Sequence, residues 1–104
     1  MRILFVCSRN RLRSPTAERV FADRAETDSA GLASDADVVL DPDQLRWADL
    51  VVVMEQAHRR LLTRRYSRHL AGARVVSLDI PDDFDYMQPE LVELLERRMA
   101  RFLR

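Results

Sequence analysis

Lysine is absent from this chain, so all 17 of its basic residues are arginine, and they are balanced by 17 acidic ones. A net charge of zero gives no general attraction to nucleic acid or to a membrane surface. The lysine deficit reads as a compositional bias without functional weight. There is a single cysteine, which excludes an intrachain disulfide and any multi-cysteine metal or iron–sulfur centre. No apolar run approaches the length needed to cross a bilayer. Glycine is scarce, at two residues. What remains is a chain of 104 residues with 47% hydrophobic content, enough for one compact domain spanning 1–104. The opening Met1–Cys7 is too short and too soon followed by Ser8 and Arg9 to resemble a secretory signal. It reads as the buried first strand of a cytoplasmic protein.

Strand and helix patterns alternate along the sequence. Residues 2–6 form an apolar strand, and a loop follows over 7–13. Ser14-Pro15 offers a cap and a first-turn proline, and Ala17, Val20, Phe21 and Ala25 recur at helical spacing up to a stop at Asp28-Ser29-Ala30-Gly31. Residues 32–48 read as an ordered surface loop, with Val38–Leu40 as a brief strand and Asp43–Trp47 as one helical turn. Leu50–Met54 is a continuous β-branched strand, as expected where both faces are covered. The helix after Glu55 places Ala57, Leu61 and Leu62 inward and ends by Gly72, with His58 at its surface. Arg74–Leu78 is a further strand, followed by an acidic loop, Asp79 to Tyr86. The last helix enters at Pro89, buries Leu91, Leu94, Leu95, Met99 and Phe102, and carries Arg97, Arg98, Arg101 and Arg104 toward its negative end. Trp47, Tyr66 and Tyr86 read as caps on the core.

This alternation predicts an α/β three-layer sandwich with a small central parallel sheet. In such sheets the carboxyl ends of the strands share one edge, where ligands bind. The loop after the first strand therefore meets the acidic loop, bringing Cys7 and Arg13 near Asp79–Asp85.

A lone cysteine is ordinarily a small buried hydrophobe, but the neighbours of Cys7 argue otherwise. Consecutive N–H groups in a strand-to-helix loop converge on anions. Arg13 adds a planar fork of donors. Donors converging in this way also favour thiolate over thiol in a cysteine that faces them. The chemistry that fits is attack by Cys7 on a phosphate monoester to give a phosphocysteine, with Arg13 and the loop holding the equatorial oxygens. A carboxylic acid would protonate the leaving group and then activate water. No metal or other cofactor is called for.

The stretch Val6-Cys7-Ser8-Arg9-Asn10-Arg11-Leu12-Arg13-Ser14-Pro15 resembles the C-x5-R-S-P loop of the low-molecular-weight protein tyrosine phosphatases. Ser29-Ala30-Gly31 and Asp49–Glu55 are similar to two further family segments. The resemblance implies a phosphotyrosine protein phosphatase I-like fold and a metal-independent, cysteine-dependent enzyme. It makes Cys7 the nucleophile, Arg13 the phosphate-binding arginine, Asn10 the brace of the loop and Ser14 the support of the thiolate. Ser8, Arg9, Asn10, Arg11, Leu12, Arg13 and Ser14 together form the substrate-binding loop. It also implies a late general acid, for which Asp82 is favoured over Asp79 and Asp83. Family members are usually longer, and the missing length falls after Gly31, where a second crossover helix is expected. Arg9 replaces a customary glycine, and Leu12 replaces a second cysteine that protects the nucleophile.

The substrate implied is a phosphate monoester or phosphotyrosine protein, with Arg9 and Arg11 either ringing the mouth to attract dianions or simply facing solvent. Two alternatives remain beside the phosphatase. One is an arsenate reductase-like enzyme using an external thiol. The other is a non-catalytic phosphate- or nucleic-acid-binding module. Six arginines and no acid lie between Arg59 and Arg74, a patch that contacts nucleic acid in the less favoured reading and is a solvated helix face in the other.

Overall fold

The computed structural model describes residues 1–70 and 72–103; Arg104, expected at the basic end of the last helix, lies outside them. Four strands form one parallel sheet in the order β2-β1-β3-β4, with β1 at Arg2–Cys7, β2 at Glu26–Gly31, β3 at Leu50–Val53 and β4 at Arg74–Ser77. Helices α1 (Arg13–Phe21), α2 (Pro42–Trp47), α3 (Gln56–Tyr66) and α4 (Pro89–Met99) connect or follow them. Alternation along β1 divides the core into two layers. Ile3, Phe5 and Cys7 pack with Phe21 of α1 and with Leu91, Leu95 and Met99 of α4. Leu4 and Val6 pack on the other face with Leu45 of α2 and Leu62 of α3. The expected three-layer α/β sandwich is therefore present. Each of these fully buried side chains contributes about 1.5–3 kcal/mol relative to exposure.

The chain passes from β1 to β2 on one side and then returns to β3 on the other. Cys7 ends β1 at this reversal of direction, where an open parallel sheet leaves a crevice.

Several expectations need correction. Helix α1 stops at Phe21; the periodicity runs on because Ala25 donates its N–H to Phe21 O at 3.1 Å in one further turn. The segment read as the helix stop is instead β2, paired with β1 from Arg2↔Glu26 to Cys7↔Gly31. Its polar residues hid it. It is an edge strand, and Thr27 donates to Glu18 O at 2.9 Å while Asp28 accepts from Gln44 at 3.0 Å. Ser14 is not the cap of α1: Leu12 is the N-cap residue and has no side-chain cap bond.

Residues 32–48 are not a surface loop. Leu32, Ala36, Leu40, Leu45 and Ala48 are buried, while Val38 and Val39 are exposed and the brief strand reduces to a single Gly31↔Val39 bridge. The second crossover helix is present in short form as α2. Asp41 caps it, accepting from Asp43 N–H at 2.7 Å, and Gln44 accepts from Asp41 N–H at 2.9 Å. In α3, Ala57 is exposed and His58 buried, the reverse of expectation. Tyr86 is exposed, whereas Trp47 and Tyr66 pack partly buried against the core as caps.

Candidate active site

The loop after β1 is tied down from behind through its carbonyls. Cys7 O accepts from Leu32 N–H (3.0 Å), Ser8 O from Ala33 N–H (2.8 Å) and Arg9 O from Asp37 N–H (3.1 Å). Leu12 O accepts from Thr16 N–H (3.1 Å) and Thr16 Oγ1 (2.6 Å). Among the described residues nothing accepts from the N–H groups of Ser8, Arg9, Arg11 or Leu12. A loop with its carbonyls used and its N–H groups unused is built to receive an anion.

Gly31 makes this attachment possible. A Cβ there would stand 2.6 Å from Ser8 O and 2.6 Å from the Ala36 Cβ. Asn10 takes the left-handed conformation, φ 56°, that asparagine tolerates best among residues with a side chain.

The direction of the hydrogen bonds around the sulfur follows from one carboxylate. Glu18 can only accept when ionised, so the Ser29 hydroxyl donates to Glu18 Oε1. Ser29 Oγ then accepts from Asn10 Nδ2 at 2.9 Å, and the same amide donates to Ser14 Oγ at 3.0 Å. The Ser14 proton is left for Cys7 Sγ, 2.9 Å away. Asn10 N–H supplies a second donor to the sulfur at 3.3 Å. The sulfur thus accepts from two donors. Asn10 and Ser14, expected among the binding residues, are thus buried behind the loop and act on Cys7.

Arg13 is 3% exposed and fixed at three points. Its Nη1 donates to Glu55 Oε2 and to Ile80 O, both at 2.7 Å, and its Nε lies 3.5 Å from Asp82 Oδ1. This leaves Nη2 unpaired among the described residues. Cys7, Ser8, Arg9, Arg11, Leu12, Arg13 and Asp82 line one open cavity of about 420 Å³. The sheet edge has brought together residues 75 positions apart, as its topology requires.

Of the three candidate acids, Asp82 alone borders this cavity. Asp79 is held elsewhere: its Oδ1 accepts from Ser77 Oγ at 2.8 Å and from Gln56 Nε2 at 3.1 Å. Asp83 is exposed away from the lining.

Glu55, Glu18 and His58 carry contacts behind the cavity that sequence reasoning missed: Glu55 pairs with Arg13, Glu18 accepts from Ser29 and His58 lies beside Glu55. Glu55 follows the buried strand β3 at the ligand-binding edge, which was its signal. The only signal for Glu18 was its position one helical turn after Ser14. His58 Nε2 stands 3.7 Å from Glu55 Oε2, and its Nδ1 is buried with no partner among the described residues. Burial pushes its pKa below the ordinary value, against the pull of the Glu55 carboxylate; the Arg13 guanidinium lowers it further and Asp82 opposes.

Fold and site together define a cysteine–arginine anion loop at the switch point of a parallel α/β sheet. The chain has the low-molecular-weight protein tyrosine phosphatase fold. A YwlE mutant from Bacillus subtilis superimposes with a TM-score of 0.74 at 26% identity, covering 99% of this chain and 98% of the other. The YwlE arginine phosphatase in a mutant form with a phosphorylated active-site serine gives 0.75 at 25% identity, covering 99% and 95%. Vibrio vulnificus Wzb in complex with benzylphosphonate gives 0.79 at 22% identity, covering 98% and 96%. No family model matches the sequence, and no curated protein matches it. No described helix is long and apolar enough to cross a membrane.

Proposed function

We propose that this chain hydrolyses phosphate monoesters, in the manner of a protein tyrosine phosphatase, through a phosphocysteine at Cys7. The observation that carries the reading is the convergence of a doubly hydrogen-bonded Cys7 sulfur, Arg13 and Asp82 on one cavity, with the N–H groups of Ser8, Arg9, Arg11 and Leu12 unpaired among the described residues. The Cys7 thiolate attacks phosphorus, forming a P–S bond as the ester P–O bond breaks. The leaving oxygen takes the proton of the Asp82 carboxylic acid. Arg13 Nη2 and the loop N–H groups hold the equatorial oxygens, whose charge changes most in the transition state. Asp82, now a carboxylate, takes a proton from water as the water oxygen attacks phosphorus. The P–S bond breaks, inorganic phosphate leaves and the thiolate is restored. The pairing of the buried Arg13 with Glu55 and Ile80 O keeps the guanidinium in place through both steps.

The test is hydrolysis of para-nitrophenyl phosphate in the presence of a metal chelator. Turnover is expected to persist with chelator, to be inhibited competitively by vanadate, and to be abolished by Cys7→Ser. Equal activity in wild type and Cys7→Ser would overturn the covalent mechanism.

A further inference from the structure

Among the described residues three arginines border the cavity around Cys7, and no aromatic side chain lines it. The aromatic residues are placed elsewhere. Phe84 packs against the core, Trp47 and Tyr66 lie against the opposite layer, and Tyr86 borders a separate depression with Pro15 and Arg19. A ring on the leaving group would therefore meet no stacking surface. What the rim offers is charge.

Arg13 belongs to the phosphate itself, but Arg9 and Arg11 do not. Their side chains are 60% and 48% exposed. Each is steadied by its Nε edge from the segment packed behind the loop. Arg11 Nε lies 3.2 Å from Asp37 Oδ1, and Arg9 Nε lies 4.0 Å from Asp35 Oδ2. Arg11 Nη2 also donates to Asp35 O at 3.4 Å. That segment is itself anchored, through the Asp37 N–H bond to Arg9 O and the close fit of Ala36 against Gly31. Both Nη groups of Arg9 and the Nη1 of Arg11 have no partner among the described residues. Exposed pairs with Asp35 and Asp37 are weak, so the aspartates steady the arginines without saturating them. A carboxylate or phosphate needs such a guanidinium face.

We infer that Arg9 and Arg11 form a second anion subsite at the cavity rim, so that the preferred substrate is a phosphate monoester with a further anionic group beside the ester. This deepens the phosphatase reading and rests on it for the identity of the reacting group. The second anion has two natural sources: an acidic residue flanking a phosphorylated side chain in a protein, or an acid group on a small phosphorylated metabolite. The same rim disfavours a phosphorylated group flanked by cations.

Affinities measured on Cys7→Ala keep the ligands intact and do not depend on turnover. Two matched pairs separate the sources: a phosphotyrosine peptide flanked by Glu against the same peptide flanked by Gln, and 3-phosphoglycerate against glycerol 3-phosphate. At low ionic strength the acidic member of at least one pair is expected to bind three-fold or more tightly, roughly what two half-exposed charge contacts supply. The preference should shrink with added salt. It should fall to about unity when Arg9→Gln and Arg11→Gln are added together, with an unchanged melting temperature showing that the fold is intact. Preference in the peptide pair alone identifies a protein substrate, and preference in the small pair alone a metabolite. Absence of preference in both pairs would overturn the subsite, as would a preference that survives in the folded double variant. Failure of the phosphatase reading would look different: wild type would not hydrolyse para-nitrophenyl phosphate, while these affinity ratios stood.

Discussion

Glu18 sits on the far side of Asn10 from the sulfur, yet its acceptor-only carboxylate sets which way every proton in that relay points. Replacing it by Gln allows the Ser29 hydroxyl to reverse, and the relay loses its fixed sense. Glu18→Gln is expected to lower kcat for para-nitrophenyl phosphate by about tenfold, within the range for groups that orient a reacting centre. Ser14→Ala removes the donor itself and should cost at least as much. For the acid, Asp82→Asn should reduce kcat/KM, which reports the step that expels the leaving group, by about 100-fold or more with poor leaving groups and much less with para-nitrophenyl phosphate. Asp79→Asn should not reproduce that dependence, because its carboxylate is already engaged by Ser77 and Gln56. Steady-state rates across a leaving-group series decide between the two.

At the scale of elements, the anion loop depends on the start of the β2–α2 connection. Gly31→Ala places a methyl group 2.6 Å from Ser8 O, and a backbone atom cannot swing aside as a flexible side chain would. The variant should lose about 1–3 kcal/mol of stability in denaturant titration and bind vanadate more weakly, since the displaced segment is the loop itself. Helix α3 makes a different contribution. His58 is favoured neutral in the fold because burial opposes its charge. The unfolded chain takes up the proton first as pH falls. Stability is therefore complete above the ordinary histidine pKa of about 6.5 and declines below it toward the lower folded value. Melting temperatures measured through that window should show this decline in wild type, and it should be weaker in His58→Leu.

For the molecule as a whole, the parallel sheet explains why so much of the candidate site's arrangement was legible. Continuous apolar runs at Ile3–Val6 and Leu50–Met54 identify buried parallel strands, and such strands deliver their loops to one edge. Cys7, Arg13 and Asp82 could therefore be associated from sequence alone, and the structure places all three on one cavity. Strand β2 was hidden because an edge strand can be polar when its side chains find partners. Helix α2 was nearly hidden because six residues carry little periodicity and depend on the Asp41–Gln44 cap. His58 was misread for a related reason: the arginines around it dominate the pattern of α3, and a shift of one residue in register decides which side faces the sheet. Those arginines, at 59, 60, 64, 65 and 68, are exposed, and Arg65 donates to Leu32 O at 3.2 Å. The bond from Arg13 to Ile80 O was out of reach because it is set by tertiary packing.

The central claim is that the Cys7 sulfur becomes covalently phosphorylated during turnover. Rapid quenching of Asp82→Asn mixed with a good aryl phosphate, followed by intact-mass and peptide mapping, tests it directly. That variant can still form the intermediate, because an aryl oxide needs no proton, but it lacks the base that hydrolyses it. The expected result is one phosphoryl group per chain, located on Cys7 and absent from the Asp82→Asn chain that also carries Cys7→Ala. Turnover with no phosphoryl group on Cys7 at any quench time would contradict the account.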